Sequence, residues 1–428
     1  MITMRTGQRS LPRRTKTDGP TRLPRIPIAV GILLAVALTL LFSQLNGFLD
    51  LQVYRVVTQA WLHGGELYGP TLPVRGHTDL PFTYPPFAAL LMIPLAVVPL
   101  WLAEFLVTAS SLGCLGLTIW LVLSRVRPDL DPSRKATFTA TALALLLAIE
   151  PVRITMWFGQ INLVLMAAVA LDCLTEKPRW PRGLLIGAAA VVKLTPAAFV
   201  LFFLIRKDWK AAGIAAATSA GVVLSGFLLF PTESRQYWLH AVTDTSRIGS
   251  PDYVGNQSIK GMIFRLGLPH SAATAIWLVL SVAVVAVGAA LMHHLVSAAQ
   301  TPRPDSAIPP ASAFPVVALL VNAAVLLLVS PVSWTHHWVW AAPALVTAAA
   351  WKSSHSGAAP YAAIATFAAL FLIGPGLVPN GKHRELAWHW WQHIPGDIYI
   401  LAAIALLITG LTHLIRHRTR PRTEVRLG

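Results

Sequence analysis

The sequence predicts an all-α protein with many membrane-spanning helices, and three observations carry that prediction. Of the 428 residues, 55% are hydrophobic and only 12% are charged, whereas a soluble domain carries about 25% charged residues. The apolar residues form runs long enough to cross a bilayer, which takes about 20 residues. Basic residues crowd both ends of the chain and several short loops, a pattern typical of cytoplasmic segments.

The distribution of the net charge of +16 fits a membrane protein better than a nucleic-acid-binding protein. Basic side chains fill residues 1–26 against a single acid, Asp18, and arginines crowd residues 416–428. Anionic lipid head groups attract such segments, whereas nucleic-acid-binding proteins cluster charge on a folded domain face. We therefore expect basic cytoplasmic tails at 1–26 and 417–428, a transmembrane domain at 27–416, and membrane lipids rather than nucleic acid as partners.

Placing every basic loop on the inner side gives about twelve crossings with both termini inside. The first span, 28–48, ends at the outer surface beside Asp50. Two interfacial helices, 51–68 and 86–98, then precede the span 101–123; the second of them is interfacial or re-entrant. The other predicted crossings are 136–149, 161–174, 211–230, 272–296, 314–329, 338–350, 361–373 and 398–415.

The segment 183–205 begins and ends beside basic residues, so a single crossing would put some of those charges outside. Two short helices, broken at Lys193 and Pro196, solve this problem, because such broken segments are tolerated where they line a cavity. With this hairpin, nearly all unusual polar clusters fall on the outer face, and the inner loops are short and basic. The sequence therefore predicts that the chemistry is located outside.

Asp50 is the leading candidate for a catalytic group. A carboxylate at membrane depth is costly and is usually functional, and it could act as a general base toward a sugar hydroxyl. The alternative is a helix N-cap, a position that Asp favours. Glu66 and Asp79 in the same outer loop are weaker candidates.

Lys193, His336 and His337 are candidates for binding a phosphate. A lysine at the break of the hairpin presents a compact positive charge, and a histidine can hydrogen-bond or protonate a phosphate oxygen. Lys193 could instead extend its ammonium group to the interface, and a histidine pair at an interface is often structural. Adjacent helical residues point about 100° apart, so one histidine can face a cavity while the other packs.

Polar side chains in other outer segments are candidates for binding substrate. Gln160 and Asn162 are amides in an apolar setting, where such groups must be paired. Asn256 and Gln257 form part of a polar string that could bind sugar hydroxyls or phosphate, and Tyr84 lies in a proline-fixed turn. No Gly-rich phosphate loop, zinc motif or Ser-His-Asp arrangement is present, and Cys114 and Cys173 lie in apolar runs. We therefore expect no metal, no cofactor and a lipid-borne sugar donor.

These motifs, taken in order, resemble the glycosyltransferase C superfamily, family 87. The resemblance covers nearly the whole chain, and the shared order of the motifs makes it specific. An aromatic loop from His383 to Trp391, containing Arg384 and Glu385, is similar to the mycobacterial members that extend phosphatidylinositol mannosides. The motifs are Asp50-x-x-Val53-Tyr54, Gly65-x-x-Tyr68, Tyr84-Pro85-Pro86, Gly159-Gln160-Ile161-Asn162, Lys193-x-x-Pro196, Asn256-Gln257-Ser258 and Ser330-Pro331-Val332-Ser333-Trp334-x-His336-His337.

The resemblance implies a GT-C fold in the bacterial plasma membrane, with the active site facing the periplasm. It implies an inverting transfer from polyprenyl-phosphate-mannose to a mannose 2-hydroxyl of a phosphatidylinositol mannoside, giving an α-1,2 linkage, with Asp50 as the base and a monomer as the working unit. Tyr54, Arg384 and Glu385 join the expected substrate contacts. Two rivals remain open: a transferase using another polyprenyl-phosphate sugar, and a lipid or sugar transporter, which the one-sided polar clusters disfavour.

Overall fold

The computed structural model describes residues 47–69, 72–74, 77–300, 310–351 and 358–419, with single residues at 33, 37 and 41. The first predicted span and both basic tails lie almost entirely outside these ranges. The described helices are α1 Leu49–Leu62, α2 Pro86–Val97, α3 Leu100–Val126, α4 Pro132–Leu146, α5 Glu150–Phe158, α6 Asn162–Leu174, α7 Leu184–Ala190, α8 Val200–Ile205, α9 Trp209–Leu229, α10 Pro231–Gln236, α11 Ile259–Phe264, α12 His270–Gln300, α13 Phe314–Val329, α14 Ala341–Ala350, α15 Ala358–Ile373, α16 His393–Gly396 and α17 Ile398–Thr419.

The chain is a helical membrane protein. Among the described residues, five helices are long and apolar enough to cross a bilayer, namely α3, α9, α12, α17 and α13 with the short turn before it. The pair α4 and α5 would be a sixth span if counted together, although a bend of 78° separates its two helices. The predicted total of about twelve crossings stays a prediction, since it also depends on shorter apolar helices and on the segment before residue 47.

The segment from residue 49 to residue 97 holds the two predicted helices and one element that the sequence did not lead us to expect. Helix α1 buries Leu51, Tyr54 and Val57 on one face, as its apolar spacing predicts, but it ends earlier than predicted, at Leu62. Helix α2 agrees closely with its predicted bounds. Between them, β1 (Leu72–Val74) pairs with β2 (His77–Leu80) in an antiparallel hairpin, where a polar loop was predicted. The interfacial placement of α1 and α2 stays a prediction.

The predicted break in the 183–205 hairpin is confirmed. Helix α7 ends at Ala190, and a 3₁₀ turn, Thr195–Phe199, leads into α8. Lys193 lies in the turn between them, where its backbone N–H donates to the carbonyl of Ala189. Pro196 is the second residue of the 3₁₀ turn and lies in its first turn, where its missing N–H costs nothing.

Two apolar clusters meet at this turn. The larger is formed mainly by α3, α6, α8, α13 and α14. The smaller is rich in aromatic side chains from α1, the loop before α2 and the turn after α10, among them Tyr54, Phe82, Tyr84 and Tyr237. Polar side chains lie where the two clusters meet, and there a cavity opens.

Candidate active site

The cavity has a volume of about 260 Å³ and collects seven of the predicted site residues, although they are far apart in sequence. Its walls come from α1, the loop before α2, the α5–α6 turn, the α7–α8 break, the segment 237–248 and the segment 330–337. The predicted residues that line it are Asp50, Tyr54, Tyr84, Gln160, Lys193, His336 and His337.

Asp50 lies in the first turn of α1, but it is not the N-cap. The N-cap is Phe48, which adopts a left-handed conformation with φ of 50° and supplies no side-chain cap. The structural alternative for Asp50 is therefore wrong, and its half-buried carboxylate faces the cavity. Burial raises the pKa of Asp50 to about 6, against the opposing effects of a hydrogen bond from Gln160 and the charge of Lys193.

Gln160 is oriented by two phenols, so that its amide nitrogen is left for Asp50. Its Oε1 accepts from the hydroxyl of Tyr54 at 3.0 Å and from that of Tyr84 at 3.1 Å. The two hydroxyls are 2.9 Å apart, and the two rings pack edge to face. Because an amide oxygen that accepts two bonds has its lone pairs occupied, the NH₂ group is the one that meets the carboxylate.

Gly159 lets α1 approach this turn closely. It ends α5 with φ of 66°, a conformation that favours glycine. A Cβ at this position would lie 2.8 Å from the Cβ of Leu51 and 3.1 Å from the Cδ1 of Phe48. The glycine therefore allows Asp50 and Gln160 to meet.

The side chain of Lys193 points into the protein. It therefore does not extend its ammonium group to the membrane interface, which was the alternative considered from the sequence. Its Nζ donates to Oδ1 of Asn162 at 2.9 Å, lies 3.1 Å from Nε2 of His337, and sits 5.4 Å from the ring centroid of Tyr84. Burial lowers the pKa of Lys193 to about 8, while the charge of Asp50 acts to raise it. The ammonium and the Asp50 carboxylate thus face the same cavity.

The two histidines have different surroundings. Their rings are 4.8 Å apart and nearly perpendicular. Nε2 of His336 is buried without a hydrogen-bond partner among the described residues, and its ring lines the cavity. His337 instead meets Lys193 through Nε2. Burial, followed by the charge of Lys193, lowers the pKa of both histidines well below the usual value, so both are neutral near pH 7.

Asn162 lies behind the cavity wall rather than in it. Its Oδ1 accepts from Lys193, and its Nδ2 donates to the backbone carbonyl of His336 at 2.9 Å. The same carbonyl accepts from the hydroxyl of Thr155 at 3.0 Å. The structure therefore gives Asn162 a contact that joins Lys193 to the histidine turn, in place of the predicted contact with substrate.

Four other predicted substrate contacts lie outside the cavity. Asn256 and Gln257 are fully buried and bond to backbone, with Asn256 Oδ1 accepting from Ser333 N and Gln257 Nε2 donating to the Gly396 carbonyl. Glu385 is also fully buried and accepts from the backbone of Val254. Arg384 is exposed and donates to carbonyls of its own loop. The side-chain polar atoms of Asn256 and Gln257 are occupied by backbone groups, whereas Oε2 of Glu385 has no hydrogen-bond partner among the described residues. The contact of these four residues with substrate stays a prediction.

The segments around residues 265 and 397 contain a buried ion pair that the sequence analysis missed. Arg265 and Asp397 are 0% and 1% exposed and are bonded to each other, and Arg265 also donates to the carbonyls of Tyr253 and Asn256. Arg247, at the rim of the cavity, was missed as well. In the sequence, the only sign of the ion pair was that Arg265 lies next to an apolar helical segment. Its partner, Asp397, is 132 residues further along the chain.

Known proteins resemble this chain over most of its length. The model of glycosyltransferase family 87 matches residues 82–331. A polyprenol-phosphate-mannose-dependent α-(1-2)-phosphatidylinositol mannoside mannosyltransferase of Mycolicibacterium smegmatis is 38% identical over 87% of this chain and 85% of its own. Its namesake from Mycobacterium tuberculosis is 33% identical over 94% and 93%.

A relative named for a pentamannoside acceptor also matches. It is the polyprenol-phosphate-mannose-dependent α-(1-2)-phosphatidylinositol pentamannoside mannosyltransferase of M. smegmatis, 31% identical over 90% of each chain. No solved structure matches the chain. The family match spans more than half of the sequence, and it includes three of the seven predicted residues that meet in the cavity, namely Tyr84, Gln160 and Lys193. The chain belongs to glycosyltransferase family 87.

Proposed function

We propose that the protein transfers mannose from polyprenyl-phosphate-mannose to a mannose 2-hydroxyl of a phosphatidylinositol mannoside. The observation that carries the proposal is the shared cavity, in which a carboxylate, Asp50, and an ammonium, Lys193, face the same space. The relatives named above supply the donor, the linkage and the class of acceptor. They differ in the acceptor they are named for, so a mannoside and a pentamannoside are both candidates here.

In the proposed reaction, Asp50 acts as the general base. The oxygen of the acceptor 2-hydroxyl attacks the anomeric carbon of the donor, and Asp50 takes the hydroxyl proton. The bond from that carbon to the phosphate oxygen breaks, and its electrons leave with polyprenyl phosphate. A carboxylate whose pKa is raised to about 6 is a stronger base than an ordinary one, yet it is still ionised at neutral pH.

Lys193 and His336 would meet the leaving phosphate. The ammonium of Lys193 supplies a positive charge where negative charge develops, in a setting where burial strengthens the interaction. His336 lines the cavity, and its buried Nε2 has no hydrogen-bond partner among the described residues; as an N–H it could donate to a phosphate oxygen after a small movement of the ring. Phosphate is already a good leaving group, so the mechanism needs no general acid.

The first test is Asp50→Asn in a purified membrane preparation supplied with both lipids. We expect turnover to fall by about 10²- to 10⁴-fold, the usual contribution of a general base. Asp129→Asn is the matched control, because Asp129 forms an exposed pair with Arg127, and such pairs contribute little. Near-normal turnover of Asp50→Asn would exclude Asp50 as the base, and preference for another polyprenyl-phosphate sugar would exclude mannose as the donor sugar.

We further propose that the cavity opens to the periplasm and that both termini are cytoplasmic. The basic loops and tails support this orientation. In it, the GT-C catalytic domain at 27–416 lies between the two cytoplasmic tails. The test is labelling of single cysteines in intact cells with a membrane-impermeant reagent. A cysteine at exposed Lys382 should react and one at exposed Lys207 should not; the opposite pattern would invert the topology.

A further inference from the structure

The segment 374–397 joins two apolar helices at the same end of the molecule. Helix α15 ends at Ile373, and α17 begins at Ile398. The two helices contact each other. Helix α17 is long and apolar enough to cross a bilayer from its first residue, and α15 is a shorter apolar helix. The 374–397 segment therefore lies beside the membrane surface at which α17 begins.

This segment exposes large apolar side chains although it is not part of a span. Trp390, Trp391 and Ile394 are 79%, 52% and 53% exposed. They belong to two successive turns, Trp390–Gln392 and His393–Gly396. Clusters of exposed apolar side chains with polar surroundings mark surfaces that bind a protein or a membrane. These three side chains therefore need a partner that the chain itself does not provide among its described residues.

The inner side of the same segment is fixed by buried contacts. Glu385 is fully buried, and its Oε1 accepts from the backbone N–H of Val254 at 3.1 Å and from that of Gly381 at 2.8 Å. The ring of Trp388 lies so close to Gly396 that a Cβ there would be 2.3 Å from it. The exposed tryptophans thus belong to an ordered surface, and a partner that binds them does not have to order the segment first.

The exposed charge of the segment is positive. Lys382 and Arg384 are exposed, whereas both acids of the segment, Glu385 and Asp397, are buried. Tryptophan is enriched where proteins meet the membrane–water interface, and anionic head groups attract basic side chains near the surface. A second copy fits less well, because a two-fold interface would bring the same positive patch of each copy together.

We propose that the 374–397 segment is a membrane-surface anchor that binds anionic phospholipids of the surrounding bilayer. Trp390, Trp391 and Ile394 insert into the head-group region of the leaflet at which α17 begins. Lys382 and Arg384 contact the phosphates of the anionic lipids. Arg384 keeps its charge available for this contact although it also donates to carbonyls of its own loop.

The anchor is connected to the large cavity through buried hydrogen bonds. Gln257 Nε2 donates to the carbonyl of Gly396 at 2.7 Å, and its neighbour Asn256 forms a β-bridge with Trp334, which lines the cavity. Binding of the segment to lipid therefore sets the depth of the cavity wall relative to the head groups. That this depth matters for two lipid substrates rests on the proposed function, whereas the anchor itself does not.

The direct test measures the depth of a nitroxide spin label at residue 390. Trp390→Cys is made with Cys114→Ala and Cys173→Ala, labelled, and placed in vesicles of phosphatidylcholine and phosphatidylinositol; Asp129→Cys, an exposed site after α3, is the control. We expect oxygen to relax the label at 390 more than a neutral nickel complex does, and the reverse order at 129. A label at 390 that the nickel complex reaches more readily, or that neither reagent reaches, would overturn the proposal.

A second comparison tests the two cations with the same label at 390. Adding phosphatidylinositol to phosphatidylcholine vesicles should lower the access of the nickel complex in the parent protein, but not in Lys382→Gln/Arg384→Gln. The control Lys207→Gln/Lys210→Gln removes the same charge from exposed positions around the start of α9, and it should respond like the parent. An equal response of all three proteins would refute the contact with anionic lipid, whichever sugar the protein transfers.

Discussion

The hydroxyl of Tyr54 lies 3.0 Å from Oε1 of Gln160 and thereby turns the amide nitrogen of Gln160 toward the carboxylate of Asp50. Tyr54 lies one helical turn after Asp50 in α1, so the same helix supplies the carboxylate and the group that orients its hydrogen-bond donor. This relation makes the acidity of Asp50 sensitive to residues that need not touch the substrate.

We expect a bell-shaped dependence of kcat/KM on pH. Asp50 must be ionised to act as a base, so activity should fall as the pH drops through about 6. Lys193 must be protonated to meet phosphate, so activity should also fall as the pH rises through about 8. Initial rates at constant ionic strength check both limbs. A rate that stays constant from pH 5 to 9 would contradict both assignments.

Gln160→Leu should move the acid limb to higher pH. The hydrogen bond from Gln160 lowers the pKa of Asp50, so its removal allows burial to raise that pKa further. The same measurement on Tyr54→Phe is the comparison, because that variant removes a bond to Oε1 but keeps the amide nitrogen. We expect the larger displacement in Gln160→Leu; equal profiles in both variants would refute this orientation of the amide.

Lys193→Ala should lower kcat by about 10²- to 10³-fold, as the loss of one electrostatic contact to a developing charge does. Lys193→Arg should restore only part of this loss, because a planar guanidinium cannot bond Asn162 and His337 as the compact ammonium does. Lys207→Ala is the control, since Lys207 is exposed after α8. Full activity in both Lys193 variants would assign the lysine a purely structural role.

Gly159→Ala should impair folding and catalysis together. A Cβ there would overlap Leu51 and strain a backbone with positive φ, at a cost of about 1–3 kcal/mol. Displacing α1 also moves Asp50, so kcat should fall in the protein that does fold. The thermal midpoint and kcat are measured beside Gly213→Ala, where a Cβ meets nothing within 4 Å. Equal behaviour of the two variants would mean that α1 tolerates the shift.

Asp397→Asn should destabilise the protein by about 3–5 kcal/mol, because it leaves the buried Arg265 without its counter-charge. Asp131→Asn serves as the comparison, since its pair with Arg134 is exposed and contributes little. Thermal unfolding in detergent micelles measures both variants. If both variants lose the same small amount of stability, the buried pair of Arg265 and Asp397 does not stabilise the packing of the segments that it joins.

Sequence patterns predicted much of the helical framework, because apolar runs and basic loops report local properties of the chain. The break at Lys193 followed from charge placement alone, and α2 followed from its proline-bounded apolar run. The hairpin of β1 and β2 was missed because each strand is too short for an alternating pattern to stand out.

The site was predictable where rare residues lie in apolar surroundings, and it was not where partners are distant. Asp50, Lys193 and His336, which line the cavity, were singled out in the sequence because such groups are costly at membrane depth. The backbone contacts of Asn256 and Gln257 could not be predicted, since a polar string has the same appearance in the sequence whether it binds a sugar or a backbone carbonyl. The pairing of Arg265 with Asp397 depends on tertiary structure that local patterns do not contain.

Buried contacts between segments that are distant in sequence also limit which parts of the chain can be exchanged with those of a relative. Asn256 forms a β-bridge with Trp334, Gln257 bonds Gly396, and Arg265 pairs with Asp397. Residues near 250–265, 330–340 and 379–397 thus form a single exchangeable unit. A chimaera that takes one of these segments from a relative with another acceptor should fold poorly, whereas one that takes all three inherits a matched set.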